Sequence, residues 1–158
     1  MKNQPIKRSG YVVALSRDHH AGLLFCWKIK EGLKKAVSAD RIINYVRFFW
    51  EEHLMKHFQE EEILLFNQHD SELTRRGKAE HIALTNLFSL IGEGPQEEQK
   101  YSALAEMLIA HIRFEERELF PHIEKSLKVA SLTAIGDILM KLHTQPFEDK
   151  YPDEFWNK

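Results

Sequence analysis

Two stretches of the sequence repeat a histidine and a glutamate at the spacing of one helical turn. One begins at His57 and the other at His111; in each, glutamates follow four and five residues later, and Leu-Phe follows at eight and nine. Residues four apart share one face of a helix. That face is otherwise apolar, and burying a histidine and a glutamate is costly unless a partner satisfies them. The pairs His57–Glu61 and His111–Glu115 therefore predict a dinuclear metal site.

Each of these helices follows a helix that carries an acidic residue directly before a histidine. The chain thus reads as two copies of one helical hairpin, which can pack about a pseudo-two-fold axis and bring six side chains to one level of the core. The six candidate ligands are His19, His57, Glu61, His81, His111 and Glu115. Imidazole suits iron, zinc, copper or nickel, and carboxylates can bridge two metals. Shared evenly, the six give each metal about three protein ligands and leave open positions for water or a diatomic molecule.

Neighbouring polar residues have weaker claims to the site. His19 lies at the centre of its helix's apolar stripe and His20 is turned about 100° away, so we favour His19 as the ligand. His53, one turn before His57, is predicted to be a hydrogen-bonded core residue, with a ligand or supporting role left open. Glu60 and Glu62 are predicted on a solvated face and His69 and His143 at the surface. Glu118 and His122 are predicted at the surface or in supporting roles, and Glu116 is not expected to be a ligand. The aromatic residues predicted to form the core and wall the site are Trp27, Phe49, Trp50 and Phe88.

The segments between the few glycines and prolines show helical periodicity and no strand alternation. We predict helices over about 16–37, 41–68, 72–91 and 95–120, with Ser16 as an N-cap and Pro121 kinking or ending the fourth. A short fifth helix is predicted from Ser131 to about Leu142. Short connections between long helices favour an all-α, up-down-up-down four-helix bundle. We expect one domain over 1–158, with the bundle at about 11–130 and an aromatic C-terminal tail that packs on the bundle or on a partner.

Composition excludes several classes of protein. Lys and Arg number 22 and Asp and Glu 24, a formal net charge of -2, which predicts neither a nucleic-acid nor a membrane partner. A single cysteine, Cys26, excludes a disulfide framework and fits a reducing compartment. The N-terminal residues lack the apolar core of a signal peptide, and no stretch reaches the roughly 18 apolar residues of a transmembrane helix. The expected location is the cytoplasm.

The doubled motif resembles the hemerythrin-like family, also called HHE cation-binding domains. The motifs that carry the resemblance are Asp18-His19, His57-x-x-x-Glu61, His81 and His111-x-x-x-Glu115 with the trailing Leu-Phe and Leu-Phe-Pro. The resemblance implies a four-helix bundle that holds two iron ions in a non-haem, oxygen-bridged di-iron centre. It implies binding or sensing of O2, NO or related species, or the holding of iron.

The sequence departs from the oxygen-carrying members of that family. Those have a fifth histidine four residues from another on the third helix, where this chain has Gly77 and Thr85 around His81. Their last carboxylate is an aspartate five residues after its histidine, whereas here Glu115 follows by four. These differences resemble the bacterial subgroup with four histidines and two glutamates and weigh against O2 transport. The Cys-Cys segment usual in repair proteins is also absent.

Other functional classes remain as alternatives. A di-iron redox enzyme or iron-centre repair protein would need an electron donor, and no acid–base or nucleophile set occurs apart from the site, which favours a binding protein. A ferritin-like carboxylate protein needs Glu-x-x-His, and no histidine here has a glutamate three residues before it. An interaction module, or a homodimer formed through the C-terminal tail, is the third alternative.

Overall fold

A computed structural model describes residues 10–94 and 97–157, and within these ranges the chain contains helices and no strand. The α-helices are α1 (Val13–Lys34), α2 (Ala39–Phe49), α3 (Met55–Leu64), α4 (Glu72–Glu93), α5 (Glu98–Phe114), α6 (Phe120–Ser126) and α7 (Val129–Leu142). Single π-helical segments, Trp50–Leu54 and Glu115–Leu119, join α2 to α3 and α5 to α6. The all-α prediction is confirmed. No helix in the described part of the chain combines the length and apolar character needed to cross a membrane.

Neighbouring long helices run in opposite directions. His19, in the first half of α1, contacts Glu116, which lies just after the end of α5. Lys30, in the second half of α1, pairs with Glu106, which lies earlier in the chain on α5. The contacts between α2–α3 and α4 show the same reversal. This pairing is what an up-down-up-down bundle requires; the complete topology stays a prediction.

Two apolar clusters form the core, one on each side of the predicted metal site. The larger is rich in aromatic side chains from α1, α2, α4 and α5, including Phe25, Tyr45, Phe49, Phe88 and Tyr101. The smaller joins the start of α1 to the end of α3, the second π-helical segment, α6 and α7, and includes Leu15, Phe66, Leu119, Phe120 and Ile135. Because each long helix contributes apolar residues on both sides of its histidine or glutamate, the polar side chains are enclosed along the bundle axis.

Helix α1 begins earlier than the sequence predicts. Ser16 is not an N-cap: it lies inside α1, is 2% exposed, and its hydroxyl has no hydrogen-bond partner. Val12 and Leu15 pack with the buried face of α7, and this tertiary burial extends the helix by one turn beyond the local capping signal. Ser131 likewise lies inside α7, which follows Lys128.

Pro121 does not end the fourth helix. The π-helical segment Glu115–Leu119 precedes it, Pro121 occupies the first turn of α6, and the helix continues to Ser126. Proline lacks the N–H that a helix interior would use, and the wider turn before it removes that requirement. Pro95, the predicted start of this helix, lies outside the described residues.

The C-terminal segment after α7 runs back over α1 and α2. Asp149 accepts hydrogen bonds from Lys28 (3.0 Å) and from the Tyr45 hydroxyl. Phe155 and Trp156 belong to the larger apolar cluster, and the Lys28 ammonium lies 4.2 Å from the centre of the Trp156 ring. These aromatic side chains of the tail therefore pack against the helices of the same chain.

Candidate metal centre

All six predicted ligands lie together between the two apolar clusters, and each is 3% exposed or less. Each histidine turns its Nε2 atom inward to a glutamate. His57 and His81 approach Glu61 at 3.2 and 3.1 Å, and His111 approaches Glu115 at 2.9 Å. His19 lies between the two glutamates, 3.4 Å from Glu61 and 3.2 Å from Glu115.

The two glutamates belong to both halves of the cluster. The ligand atoms form two overlapping groups of four in which all atoms lie within 4.8 Å of one another: His19, His57, Glu61 and Glu115; and His81, His111, Glu61 and Glu115. Glu61 turns Oε2 to His19 and His57 and Oε1 to His81, the arrangement of a bridging carboxylate. Both glutamates are shared, so each group offers four ligands. Dividing the six side chains evenly between two metals had predicted three.

A second set of carboxylates orients the four imidazoles. The Nδ1 atom of each ring lies 2.7 to 2.9 Å from an outer carboxylate oxygen. The pairs are His57 with Asp18, His111 with Glu80, His19 with Glu116, and His81 with Glu62. A hydrogen bond at Nδ1 places the proton on that nitrogen and leaves Nε2 with a lone pair directed at the centre, as metal-binding histidines require.

The sequence did not assign these orienting roles, although it held a signal for them. Asp18 and Glu80 directly precede a candidate histidine, and Glu62 and Glu116 directly follow a candidate glutamate. Glu62, predicted on a solvated face, is half-buried and contacts His81. Each of these carboxylates is one residue away from a candidate ligand on its own helix and so points about 100° away from it. It reaches the site only because it contacts a histidine on a neighbouring helix.

The Leu-Phe pair at the end of each motif supplies the apolar wall. Phe120 stacks on His19 with ring centres 5.4 Å apart, and Phe66 packs on His81 at 5.3 Å. Phe58 also stacks on His81, at 4.0 Å. Each terminal phenylalanine therefore covers the first histidine of the other hairpin and excludes water from that ring.

Burial and charge act against each other on the titrating groups. Burial alone lowers the pKa of His57, but the Glu61 charge and the hydrogen bond to Asp18 raise it to about 9. Burial likewise lowers the pKa of His111, but Glu115 and Glu80 outweigh it and raise the value to about 10. For Glu61 burial raises the pKa, but the surrounding histidines outweigh it and hold the value well below its usual range. Without a metal, protonated imidazoles thus balance the charge of Glu61.

The donor set fits a metal pair. His57 Nε2, His111 Nε2 and both Glu115 oxygens are buried and make no hydrogen bond of acceptable geometry. Buried polar atoms without partners are costly, and metal coordination is one way to satisfy them. Imidazole nitrogens and carboxylate oxygens are suitable ligands for iron, zinc or manganese.

The other sequence candidates divide between the site and the surface. His20 is exposed, whereas His19 is enclosed. His53 is buried beside the site and stacked on Phe147 at 4.1 Å; it hydrogen-bonds the Asp18 backbone, as expected of a core histidine, while its Nε2 has no hydrogen-bond partner. Trp27 is 48% exposed, so its predicted core position is wrong.

The remaining polar candidates lie outside the centre. Glu60 is buried and was wrongly predicted as solvated. His143 is only partly exposed and bonds to Glu60 at 2.6 Å, which corrects its predicted surface position. His122 contacts Ser71 at 3.1 Å, away from the four imidazoles.

Gly77 marks the place where a fifth histidine is absent. A Cβ atom on Gly77 would lie 2.8 Å from Leu119 and 3.0 Å from Phe66. The trailing Leu-Phe side chains of the two motifs thus fill the space of a larger residue. The centre is built around four histidines, and the packing leaves no room for another at this position.

The fold and donor set define a helical protein with a candidate binuclear metal centre. A scan against protein families matches residues 12–124 to the hemerythrin HHE cation binding domain. The chain belongs to this family, which confirms the resemblance drawn from the motifs. The searches of curated proteins and of solved structures found no match. The matched segment contains every predicted ligand and ends before α7.

Proposed function

We propose that this protein holds two iron ions in an oxygen-bridged centre and binds or senses a small diatomic species, O2 or NO. The ligands are His19, His57 and the shared glutamates for one iron, and His81, His111 and the same glutamates for the other. The observation that carries the proposal is the convergence of four Nε2 atoms on two carboxylates while outer carboxylates hold all four Nδ1 atoms. We assign the chain the up-down-up-down topology and retain the cytoplasm as its predicted location.

The protein contributes orientation and a dry environment. The outer carboxylates fix the ring direction and increase the basicity of the inward nitrogens. Phe58, Phe66 and Phe120 cover the imidazoles and limit the approach of water. Bound iron would supply open coordination positions and accessible redox states for a diatomic ligand. Four protein ligands per iron leave such positions available.

Binding or sensing is favoured over a di-iron enzyme by the lining of the centre. Carboxylates, phenyl rings and the imidazole of His53 lie against the four imidazoles, and Cys26 is buried in the larger apolar cluster. A redox enzyme would need a route for electrons from a donor. The enclosed phenyl wall instead suits a small uncharged molecule.

Metal analysis combined with optical spectroscopy tests this proposal. Protein from iron-rich medium should contain about two irons per chain, and its reduced form should change its spectrum on adding NO or O2. His57→Ala and His111→Ala should lose iron, whereas His20→Ala, which alters an exposed residue, should retain it. Circular dichroism checks that each variant remains helical.

Two results would overturn the proposal. One is that folded wild-type protein contains no iron, or that the His57→Ala and His111→Ala variants both retain it. The other is a full complement of iron with no spectral response to either gas, which would leave iron holding as the function.

A further inference from the structure

A second polar cluster lies beside the candidate centre and is separate from its six ligands. Asp18, Glu60 and His143 offer ligand atoms that all lie within 4.8 Å of one another. His143 Nε2 is 2.6 Å from Glu60 Oε2, and His143 Nδ1 is 3.9 Å from Asp18 Oδ1. His143 lies at the end of α7, beyond the segment matched to the family. The cluster therefore depends on the C-terminal part of this chain.

Two buried polar atoms at this cluster lack hydrogen bonds. Glu60 Oε1 and His53 Nε2 have no hydrogen-bond partner, and their residues are 8% and 6% exposed. Both residues line a cavity of about 180 Å³, together with Asp18 and His143. The nearest cation to Glu60 Oε1 is the exposed Lys56 ammonium, at 3.9 Å. The cavity is large enough for an ion with water ligands, and the two residues that carry the unsatisfied atoms line it.

We propose that Asp18, Glu60 and His143 form a mononuclear site for a divalent transition-metal cation. Two carboxylates and one imidazole are a suitable ligand set for zinc, ferrous or manganous ions. Bonds of about 2.0–2.2 Å place neighbouring ligand atoms roughly 3 to 4 Å apart. The separations of 2.6 Å and 3.9 Å lie below and within that range, so the His143–Glu60 pair must open slightly to admit an ion. His53 faces the same cavity and can hydrogen-bond a water on the ion.

Asp18 connects this site to the candidate centre. Its Oδ2 atom accepts the hydrogen bond from His57 Nδ1 at 2.9 Å, and its Oδ1 atom faces His143. A cation on Oδ1 withdraws electron density from the carboxylate and weakens its hold on His57. Occupancy of the mononuclear site therefore lowers the metal affinity of the neighbouring His19–His57 group, and linkage makes the effect reciprocal.

Zinc binding to metal-free full-length protein tests the proposal. Equilibrium dialysis with Zn²⁺ should load about three ions per chain. Glu60→Gln and His143→Ala should each weaken one of the three at least tenfold without weakening the other two, and the ion of the His19–His57 group should bind more tightly because its neighbour is lost. Glu52→Gln is the matched control, because Glu52 lines the same cavity but is exposed. Circular dichroism establishes that each variant is folded.

The outcomes separate this site from the candidate centre. Wild-type binding of only two ions, or a third ion unaffected by both Glu60→Gln and His143→Ala, overturns the mononuclear site without affecting the proposed function. His143 would then serve only as the hydrogen-bond partner of Glu60. A single ion lost in His143→Ala but retained in His111→Ala would establish the mononuclear site and refute the dinuclear one.

Discussion

Neutralising each outer carboxylate in turn should weaken metal binding by an amount that follows its burial. The four Nδ1–oxygen distances are nearly equal, 2.7 to 2.9 Å, so the strength of each contact depends chiefly on screening by solvent. The side-chain exposures differ widely: Asp18 7%, Glu116 15%, Glu80 28% and Glu62 37%. We expect the effect to decrease in that order.

The expected magnitudes come from the usual cost of removing such a contact, about 10- to 100-fold in affinity, or roughly 1.4 to 2.7 kcal/mol. Asp18→Asn should approach the upper value because the carboxylate is buried. Glu62→Gln should fall at or below the lower value because water screens it. Each change is isosteric, so differences in packing contribute little.

Competition with a chromogenic chelator measures these affinities in metal-free protein reloaded with zinc. Glu118→Gln is the control, since Glu118 is 55% exposed and its ion pair is with Arg76 at 3.9 Å. Because Asp18 also belongs to the proposed mononuclear site, Asp18→Asn is compared in a His143→Ala background. Equal losses in all four variants, the reverse order, or a comparable loss in Glu118→Gln would refute the reasoning.

Three further predictions address protonation, packing and thiol reactivity. Because the pKa of His57 is about 9 and that of His111 about 10 in the metal-free protein, zinc binding should release protons and tighten from pH 7 towards pH 9, as calorimetry in buffers of different ionisation enthalpy measures. A histidine whose pKa is raised by folding stabilises the folded state, and this contribution is complete below the pKa of about 6.5 that histidine has in the unfolded chain. It is lost as the pH rises through the pKa of the folded state, so the urea midpoint of the metal-free protein should fall up to pH 9 to 10. Gly77→Ala should cost about 1–3 kcal/mol in urea unfolding through overpacking, whereas Gly92→Ala, with its nearest neighbour 3.9 Å away, should be neutral or stabilising; equal effects would contradict the packing argument. Burial raises the pKa of Cys26 to about 12, so a thiol reagent should modify it only after unfolding, and rapid labelling of folded protein would contradict its burial.

The clustering of the six candidate ligands could be predicted from sequence because their spacing is local. His57 and Glu61 lie on one α-helix, so their spacing alone determines a common facing. The same spacing recurs at His111 and Glu115, and this repetition indicated, before the fold was known, that the two helices contribute equivalent side chains to one site. The wheel argument similarly separated His19 from exposed His20.

The surroundings of the site could not be predicted because they depend on contacts between distant segments. Glu60 and His143 are 83 residues apart in the chain, and nothing in either local pattern indicates the other. Glu62 contacts His81 on the following helix, across the turn between α3 and α4. The misplaced cap at Ser16 has the same origin, because burial against α7 outweighed a local preference.

The hairpins are interlocked at the candidate centre in a way that makes assembly cooperative. Each group of four ligands takes three side chains from one hairpin and its last glutamate, Glu61 or Glu115, from the other. The rings of His19 and His81 are also oriented by carboxylates of the opposite hairpin. Neither hairpin alone can form half a site, so the free energy of metal binding becomes available only when the two halves dock. A metal pair held there would act as a non-covalent cross-link between the hairpins, and its strength would follow metal concentration.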